Sequence, residues 1–259
     1  MYAKRSLGQN FLRSERALAK IVEAGEITEK DIILEIGPGQ GALTERILAT
    51  GAKVIAVEKD DELFEILNKK FEKEISSKKL ELIHYDILDF QIVSPGTYKL
   101  IANIPYNITG AIIEKFLSDE RQPEKMVLLV QKEVAERIVA RDNKGSILSI
   151  SVQVYGTPHY VETVKAGSFV PAPKVDSAIL EISDISKRFF QDFPESEFFK
   201  LLKAGFQAKR KKLSSNLSVI FDKNSVKKAF TELNLDENLR AEDVPLEVWQ
   251  KLAKNLLTS

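Results

Sequence analysis

The chain contains the stretch Ile32-Ile-Leu-Glu-Ile-Gly-Pro-Gly-Gln-Gly41, from which its architecture can be predicted. The apolar run predicts a buried strand, and Gly37, Gly39 and Gly41 predict a tight turn directly after it. Residues 42–50 then carry apolar side chains at helical spacing. A strand, a glycine-rich turn and a helix in this order bring backbone N–H groups and a helix N-terminus close to a bound ligand.

The same alternation of strand and helix continues along the chain. Short runs rich in Val, Ile and Leu recur between turns, with helical patterns between most of them, and this is typical of βαβ units in a parallel sheet. The last two runs have no long helix between them, so they are expected to form an antiparallel edge. The predicted strands are 32–37, 53–58, 80–86, 98–104, 126–130, 147–155 and 175–182. The sequence therefore predicts a seven-stranded, doubly wound α/β sheet of the Rossmann-like type.

Helical patterns accompany this sheet and then continue alone. The helices expected among the strands are 14–24, with Ser14 placed as the N-cap, 42–50, 61–75 and 132–141. After residue 183 only helical spacing remains, over 198–213, 225–233 and 246–257. We therefore expect a larger α/β domain over residues 1–184 and a small, all-α domain over residues 185–259.

Composition narrows the possible chemistry. The chain of 259 residues has no cysteine and only two histidines, His84 and His159, which excludes disulfides, thiolate nucleophiles and cysteine-based zinc sites. No metal is therefore expected. The first ten residues are polar and basic, and no apolar run is long enough to cross a bilayer. These features predict a cytoplasmic protein without a membrane partner.

Glu58 adds a second element to the glycine turn. It ends the second predicted strand, 21 residues after Gly37, where a carboxylate can accept hydrogen bonds from both hydroxyls of a ribose. The same spacing fits the dinucleotide site of a dehydrogenase, and a turn without a ligand is a further alternative. Glu35, near the amino-acid end of a ligand, and Asp86, suited to an adenine amino group, favour S-adenosylmethionine. Asp86 fits a turn or helix cap equally well, so the motif alone leaves these alternatives open.

The tetrapeptide Asn103-Ile104-Pro105-Tyr106 follows the fourth strand at the carboxyl edge of the sheet, where such folds bind their substrates. The N6 amine of adenine is a poor nucleophile because its lone pair is delocalised into the ring. Two acceptors aimed at its N–H bonds would favour the pyramidal form. The side-chain oxygen of Asn103 and the carbonyl of Ile104 can serve as these acceptors, since Pro105 restricts the residue before it to an extended conformation.

Tyr106 completes the hypothesis of an adenine site. Its ring would stack on a base extruded from a helix and replace the stacking that the base loses. A simple turn after a strand is the alternative interpretation of this tetrapeptide. Its position at the sheet edge, 45 residues after Glu58, favours the catalytic one.

These motifs together resemble the ribosomal RNA adenine dimethyltransferases, the kasugamycin-sensitivity family, of which the erythromycin-resistance methylases are a sister branch. The resemblance covers nearly the whole chain, with the motifs in the same order. It rests on Ser6-Leu-Gly-Gln-Asn10-Phe-Leu12, Glu35-Ile-Gly-Pro-Gly-Gln-Gly41, Glu58, Asp86, Asn103-Ile-Pro-Tyr106 and Ser168-Phe-Val-Pro-Ala-Pro-Lys-Val-Asp-Ser-Ala178. The family commonly has Leu in place of Ile104, a difference that leaves the backbone acceptor intact.

The resemblance implies that S-adenosylmethionine is the cofactor. The residues it assigns to this cofactor are Asn10, Leu12, Gly37, Glu58, Asp86 and Asn103, and the glycine turn adds Glu35, Gly39 and Gly41. Asn103 thus has two expected roles, which are compatible if the tetrapeptide lies between cofactor and substrate. The resemblance also implies that Phe169 faces Tyr106 across the target base. Without it, Phe169 could be no more than a core anchor.

Basic residues are the candidates for contact with RNA phosphates. Residues 185–259 hold 14 Lys and Arg against 10 Asp and Glu, although the whole chain has zero net charge. The candidates are Lys4, Arg5 and the run Lys209, Arg210, Lys211 and Lys212, which we expect on the helix predicted at 198–213. Most short charge runs are simply solvated surface. Their place in a basic domain favours phosphate contact, which supplies much of the affinity for RNA.

The resemblance implies transfer of two methyl groups to each of two neighbouring adenosines near the 3′ end of 16S rRNA. We expect the substrate to be an immature small ribosomal subunit and the protein to act as a monomer. Three alternatives remain. A large-subunit rRNA methylase would share every catalytic motif. A DNA adenine methyltransferase usually brings a target-recognition domain, for which residues 185–259 are too few and too helical. A ribosome-assembly factor could bind the same RNA without catalysis as its main role.

Overall fold

The computed structural model describes residues 9–92, 96–141 and 144–258. The chain forms two compact units. The sheet unit comprises Met1–Ala135 and Thr157–Ile185, and the helical unit comprises Glu136–Gly156 and Ser186–Ser259. Residues 136–156, which the sequence pattern assigns to the first domain, thus group with the helical unit. Over the described ranges, no helix combines the length and hydropathy needed to cross a membrane.

The sheet unit contains the strands and most of the helices between them. Its strands are β1 (Phe11–Leu12), β2 (Ile32–Ile36), β3 (Lys53–Glu58), β4 (Leu80–His84), β5 (Lys99–Asn103), β6 (Lys125–Gln131), β7 (Thr157–Val164), β8 (Phe169–Val170) and β9 (Ser177–Ser183). Its helices are α1 (Glu15–Ala24), α2 (Ala42–Leu48), α3 (Asp61–Lys70), α4 (Glu72–Ser76) and α5 (Thr109–Ser118), and α6 (Lys132–Ile138) crosses into the helical unit. Ser14 caps α1 as predicted, its hydroxyl accepting from the backbone N–H of Ala17.

The predicted seven-stranded α/β sheet with an antiparallel edge is confirmed. Its strand order is β4-β3-β2-β5-β6-β9-β7. The strands β2 to β6 run parallel, whereas β9 is antiparallel to both β6 and β7. The central strands are buried on both faces, which explains their continuous apolar sequence. A separate two-stranded sheet pairs β1 with β8.

The predicted strand at 147–155 is wrong. This segment begins with the helix α7 (Ile147–Gln153), where Ser146 and Ser149 form a reciprocal capping box. A short apolar run is compatible with the residue spacing of a strand or of a helix, and here the capping box favours the helix. The seventh strand is β7 instead, which begins Thr-Pro-His-Tyr and carries little of the expected Val and Ile. Pro158 fits there because β7 lies at the sheet edge.

The helical unit also differs from its predicted pattern. Its remaining helices are α8 (Glu195–Gly205), α9 (Leu213–Leu217), α10 (Lys223–Glu232) and α11 (Leu246–Leu257). The predicted helix at 198–213 therefore ends early, and the basic run 209–212 lies in the loop between α8 and α9. The buried side chain of Asn216 stabilises this ending: its amide nitrogen donates to the carbonyls of Gly205 at 2.6 Å and Ala208 at 3.2 Å.

Gly205 is expected to be essential for packing in the helical unit. A Cβ atom at this position would lie 2.5 Å from the ring of Trp249, which is fully buried, and 3.0 Å from Leu213. We expect Gly205→Ala to reduce the free energy of unfolding by about 2 kcal/mol. Trp249 is the single tryptophan, so its fluorescence during urea unfolding reports on this unit.

A glycine with open space provides the control for this substitution. Gly110 lies in α5, and a Cβ atom there would meet no heavy atom within 4 Å. Gly110→Ala should therefore leave the protein as stable or stabilise it by up to about 1 kcal/mol. Equal stability of Gly205→Ala and the wild-type protein would contradict the packing account.

Candidate functional site

A cavity of about 400 Å³ lies in the sheet unit at the carboxyl ends of β2, β3 and β5. This volume is within the range of sites for small molecules. Successive parallel strands end at the same edge, so residues distant in sequence meet there. The cavity is lined by most of the predicted site residues: Asn10, Leu12, Glu35, Gly37, Gly39, Glu58, Asp86, Asn103, Ile104, Pro105 and Tyr106.

The glycine turn has the backbone conformation that its sequence predicts. Gly37, Gly39 and Gly41 have φ angles of +61°, +60° and +79°, which favour glycine over any other residue. Gly41 is not among the residues that line the cavity. It caps the N-terminus of α2, and a Cβ atom there would lie 2.6 Å from the ring of Phe71. The role of Gly41 is therefore to shape the turn.

Glu58 is held in one orientation by backbone donors. It is buried, and its Oε2 accepts from the N–H of Gly39 at 3.1 Å. Its Oε1 accepts from the N–H groups of Lys59 and Asp60, both at 2.9 Å. Burial raises the pKa of Glu58, and these backbone hydrogen bonds oppose the rise. The carboxyl group of Glu58 is therefore fixed beside the glycine turn and faces the cavity. When it is ionised, its oxygens act as hydrogen-bond acceptors.

Glu35 is a buried acid without a full set of partners. Only 1% of it is exposed, and its Oε2 has no hydrogen-bond partner among the described residues. Burial raises its pKa to about 8; the neighbouring Thr44 opposes the rise and the charge of Glu58 adds to it. Because Glu35 lines the cavity, a cationic group of a ligand could satisfy the carboxylate.

Asp86 follows β4, and its carboxylate has two contacts. Its Oδ2 lies 2.5 Å from Nζ of Lys59, and its Oδ1 accepts from the N–H of Leu88 at 3.0 Å. The hydrogen bond with Lys59 is the main reason that the pKa of Asp86 is lowered. Asp86 is thus a turn residue, as its alternative interpretation suggested, and also a charged acceptor at the cavity wall.

The tetrapeptide is ordered by contacts at both ends. Asn103, the last residue of β5, donates its amide nitrogen to the carbonyl of Asn10 at 3.1 Å, which leaves its side-chain oxygen as an acceptor. Pro105 has φ −57° and ψ 133°. Tyr106 begins a short 3₁₀ turn, Tyr106–Ile108, and its hydroxyl lies 2.6 Å from Oγ of Ser177. Burial raises the pKa of Tyr106, so its hydroxyl is neutral at physiological pH.

Phe169 does not join the other predicted residues at the cavity. It lies on β8, pairs with Leu12 of β1, and is only 2% exposed within the hydrophobic core. This is the position of a core anchor. Lys4 and Arg5 lie outside the described residues. Lys209, Arg210, Lys211 and Lys212 are all exposed in the loop between α8 and α9.

Three features of the site were not predicted from the sequence motifs. Gln9 donates its amide to Asp60 at 3.1 Å, and Asp60 also caps α3. Tyr85, beside Asp86, lines the cavity and is half exposed. Ser177 contacts Tyr106 from β9. A cap at Asp60 was signalled by the acidic start of α3, whereas the contacts of Gln9 and Ser177 are long-range and had no local signal. In the described part of the chain, no cluster of His, Asp and Glu could hold a metal ion.

The chain is similar to known proteins over nearly its whole length. Residues 1–257 match the family described as "Ribosomal RNA adenine dimethylase". The ribosomal RNA small subunit methyltransferase A of Dehalococcoides mccartyi strain CBDB1 is 41% identical, over 96% of this chain and 87% of the relative. The protein of the same name from Fusobacterium nucleatum is 38% identical, over 97% and 96%.

Solved structures show the same fold. A dimethyladenosine transferase from Plasmodium falciparum superimposes with a TM-score of 0.79 at 28% identity, over 95% of this chain and 99% of that one. The 23S rRNA methyltransferase ErmE gives a TM-score of 0.77 over the same shares of both chains, at 24% identity. The second likeness concerns the fold alone.

Proposed function

The chain belongs to the ribosomal RNA adenine dimethylase family, and we propose that it methylates two adjacent adenosines in a hairpin near the 3′ end of 16S rRNA. S-adenosylmethionine is the methyl donor and N6,N6-dimethyladenosine is the product. The observation that supports this best is the cavity itself, where the glycine turn and Glu58 meet Asn103 and Tyr106. The curated relatives are named small-subunit methyltransferases, which favours the small subunit over the large one.

S-adenosylmethionine fits the polar groups of the cavity. Family membership decides against the dinucleotide of a dehydrogenase. The fixed carboxylate of Glu58 would accept hydrogen bonds from the ribose hydroxyls, and Asp86 would accept one from the adenine amino group. Glu35 would lie against the ammonium of the methionine end, which satisfies its unpartnered oxygen. The bound cofactor supplies an electrophilic methyl group on its sulfonium.

The residues of the tetrapeptide would orient the target amine. The side-chain oxygen of Asn103 and the carbonyl of Ile104 would each accept a hydrogen bond from one of its two N–H groups, while Tyr106 stacks on the base. Proximity and alignment then supply most of the rate, and no strong base is needed because the amine loses its proton readily to solvent after methylation. In the second methylation only one N–H remains, so only one of the two acceptors keeps its partner. Phe169 would reach the other face of the base only if its side chain left the core.

RNA phosphates would contact the basic loop, defined as Lys209–Lys212, together with Lys4 and Arg5. Replacing Lys211 and Lys212 with glutamine should weaken RNA binding and reduce the slope of log K against log salt by about 1 to 2, since each lost phosphate contact removes nearly one released counterion. Fluorescence anisotropy with a labelled 16S rRNA hairpin between 50 and 200 mM salt, roughly the range in which this effect is large, measures both.

The control for the basic loop lies in the same unit. Lys223 and Lys227 are exposed lysines of α10, and their replacement with glutamine removes the same charge. The control pair should keep the wild-type slope. Equal slopes for the two double variants would show that the basic loop is ordinary solvated surface.

The cellular setting follows from this substrate. The protein would act in the cytoplasm, as a monomer, on an immature small ribosomal subunit and with a role in its biogenesis. An undermethylated subunit presents the hairpin as a folded RNA, which suits recognition by phosphate contacts and base extrusion.

Transfer of labelled methyl groups to three substrates in parallel tests the proposed function. Undermethylated small-subunit particles should accept the label, whereas free large-subunit RNA and duplex DNA should not. Label in the large-subunit RNA would assign the protein to the resistance branch, and label in DNA would make it a DNA methyltransferase. Binding without any label would favour a role as an assembly factor.

A further inference from the structure

Ser177 is a buried polar residue that no part of the proposed mechanism uses. It is the first residue of β9 and is 0% exposed. Its Oγ lies 2.6 Å from the hydroxyl of Tyr106, a residue 71 positions away along the chain. The structure therefore links the wall of the cavity to a residue in the interior of the sheet.

The topology of the sheet explains how Ser177 reaches this position. Because β9 runs antiparallel to β6, its first residue pairs with Gln131, the last residue of β6. In turn, β6 is parallel to β5, where Asn103 pairs with Leu129. The beginning of β9 thus lies at the same edge of the sheet as the ends of β5 and β6. The antiparallel strand contributes a side chain to the carboxyl edge, where the cavity opens.

The contact restricts the ring of Tyr106. A tyrosine in a turn can rotate about its side-chain bonds, and stacking on a base would then cost it conformational freedom. A hydrogen bond between this hydroxyl and a side chain that is itself buried fixes the far end of the ring before the base arrives. Stacking needs only the ring face, so the hydroxyl of Tyr106 remains available for this contact.

We propose that Ser177 is a positioning residue that holds the ring of Tyr106 in the orientation required to stack on the extruded adenine. This inference rests on the proposed function, because it assigns a partner to the stacking residue of the same site. Neither hydroxyl touches the reacting atoms. The effect of the pair should therefore appear in the capture of the base rather than in the binding of S-adenosylmethionine.

A double-mutant cycle with Ser177→Ala and Tyr106→Phe tests this proposal. Each single variant should lower kcat/KM for the RNA about three- to tenfold, the range expected for losing one pre-ordered side chain. The double variant should lose no more than either single variant, because both remove the same hydrogen bond. The dissociation constant for S-adenosylmethionine should stay at the wild-type value in Ser177→Ala.

Two further measurements separate positioning from a loss of stability. An RNA with 2-aminopurine at the target position becomes fluorescent on base extrusion, and the increase should be smaller for both single variants. Tyr98→Phe provides the matched control: it removes a buried hydroxyl whose hydrogen bond, 2.9 Å to the carbonyl of Arg121, lies at the other end of β5. This control should keep the wild-type kcat/KM.

Wild-type kinetics and extrusion in both single variants would overturn the inference, as would additive losses in the double variant. Tyr106→Ala, measured alongside, separates this failure from failure of the proposed function. If Tyr106→Ala loses activity while Tyr106→Phe does not, the stacking role stands and the role of Ser177 falls. If Tyr106→Ala is also fully active, the proposed adenine site itself is wrong.

Discussion

Asn103→Ala is expected to reduce the rate of methyl transfer at least about 100-fold while RNA affinity changes by less than about threefold. The alanine removes the side-chain oxygen that we propose orients the N6 amine, and this interaction would matter most when the lone pair returns to nitrogen. It also removes the contact with Asn10. A single-turnover rate at saturating S-adenosylmethionine and RNA separates this effect from weaker binding of either partner.

A second asparagine in the same segment controls for the substitution itself. Asn107 lies four residues further on, in the 3₁₀ turn, and is exposed. Asn107→Ala should retain the wild-type rate within about threefold. Equal losses of rate and RNA affinity in Asn103→Ala would mean that Asn103 serves binding or folding, and would contradict its assignment as an acceptor.

Glu35→Gln is expected to weaken the binding of S-adenosylmethionine about 10- to 100-fold and, at the same time, to stabilise the protein at alkaline pH. The amide is nearly isosteric but cannot provide a negative charge for the ammonium. In the wild-type protein, Glu35 must lose its proton to provide that charge, since its pKa is about 8. The wild-type affinity should therefore increase between pH 6 and 7, and that of Glu35→Gln should not.

Ionisation of Glu35 should strengthen cofactor binding as pH rises, but it should lower the stability of the folded protein. The pKa of Glu35 is raised from 4.5 to about 8 in the folded protein. Its contribution to stability is thus complete below pH 4.5, decreases by about 1.4 kcal/mol per pH unit up to about pH 8, and is constant above. Glutamine has no such dependence. The stability of Glu35→Gln relative to wild type should rise by about 2 to 5 kcal/mol between pH 5 and 8.5 in urea unfolding.

A surface glutamate at the same cavity is the control for both effects. Glu45 lines the cavity and pairs with Lys70 at 3.0 Å. Glu45→Gln should leave the affinity for S-adenosylmethionine within about threefold of wild type. If Glu35→Gln binds the cofactor as well as the wild-type protein does, Glu35 is a structural acid and does not contact the ammonium.

The sequence was sufficient for the parts of the molecule that depend on local patterns. The glycine turn, Glu58, Asp86 and the tetrapeptide from Asn103 each stand at or after the end of a predicted strand. Parallel pairing brings the ends of these strands to one edge, so their assembly around one cavity could be expected from the predicted parallel sheet. The antiparallel edge was also predicted, from the short connection between the last two strands, although the first of these was placed at 147–155 instead of at β7.

Local patterns failed where two structures share one pattern or where a contact is long-range. The run 147–155 fits both strand and helix, and only the capping box of Ser146 decides. The end of helix α8 at Gly205 is stabilised by Asn216, eleven residues later, whose side-chain amide donates a hydrogen bond to the carbonyl of Gly205. No sequence pattern predicts that Ser177 meets Tyr106, since this contact depends on the register of β9 with β6.

Mass spectrometry of the nucleosides from treated RNA tests most directly whether the protein methylates the N6 nitrogen of adenine. Undermethylated small-subunit particles are incubated with S-adenosylmethionine and either the wild-type protein or Asn103→Ala, and their 16S rRNA is digested. We expect N6,N6-dimethyladenosine with the wild-type protein and almost none with Asn103→Ala. A methyl group on another atom of adenine, on the ribose or on a different base would contradict this expectation.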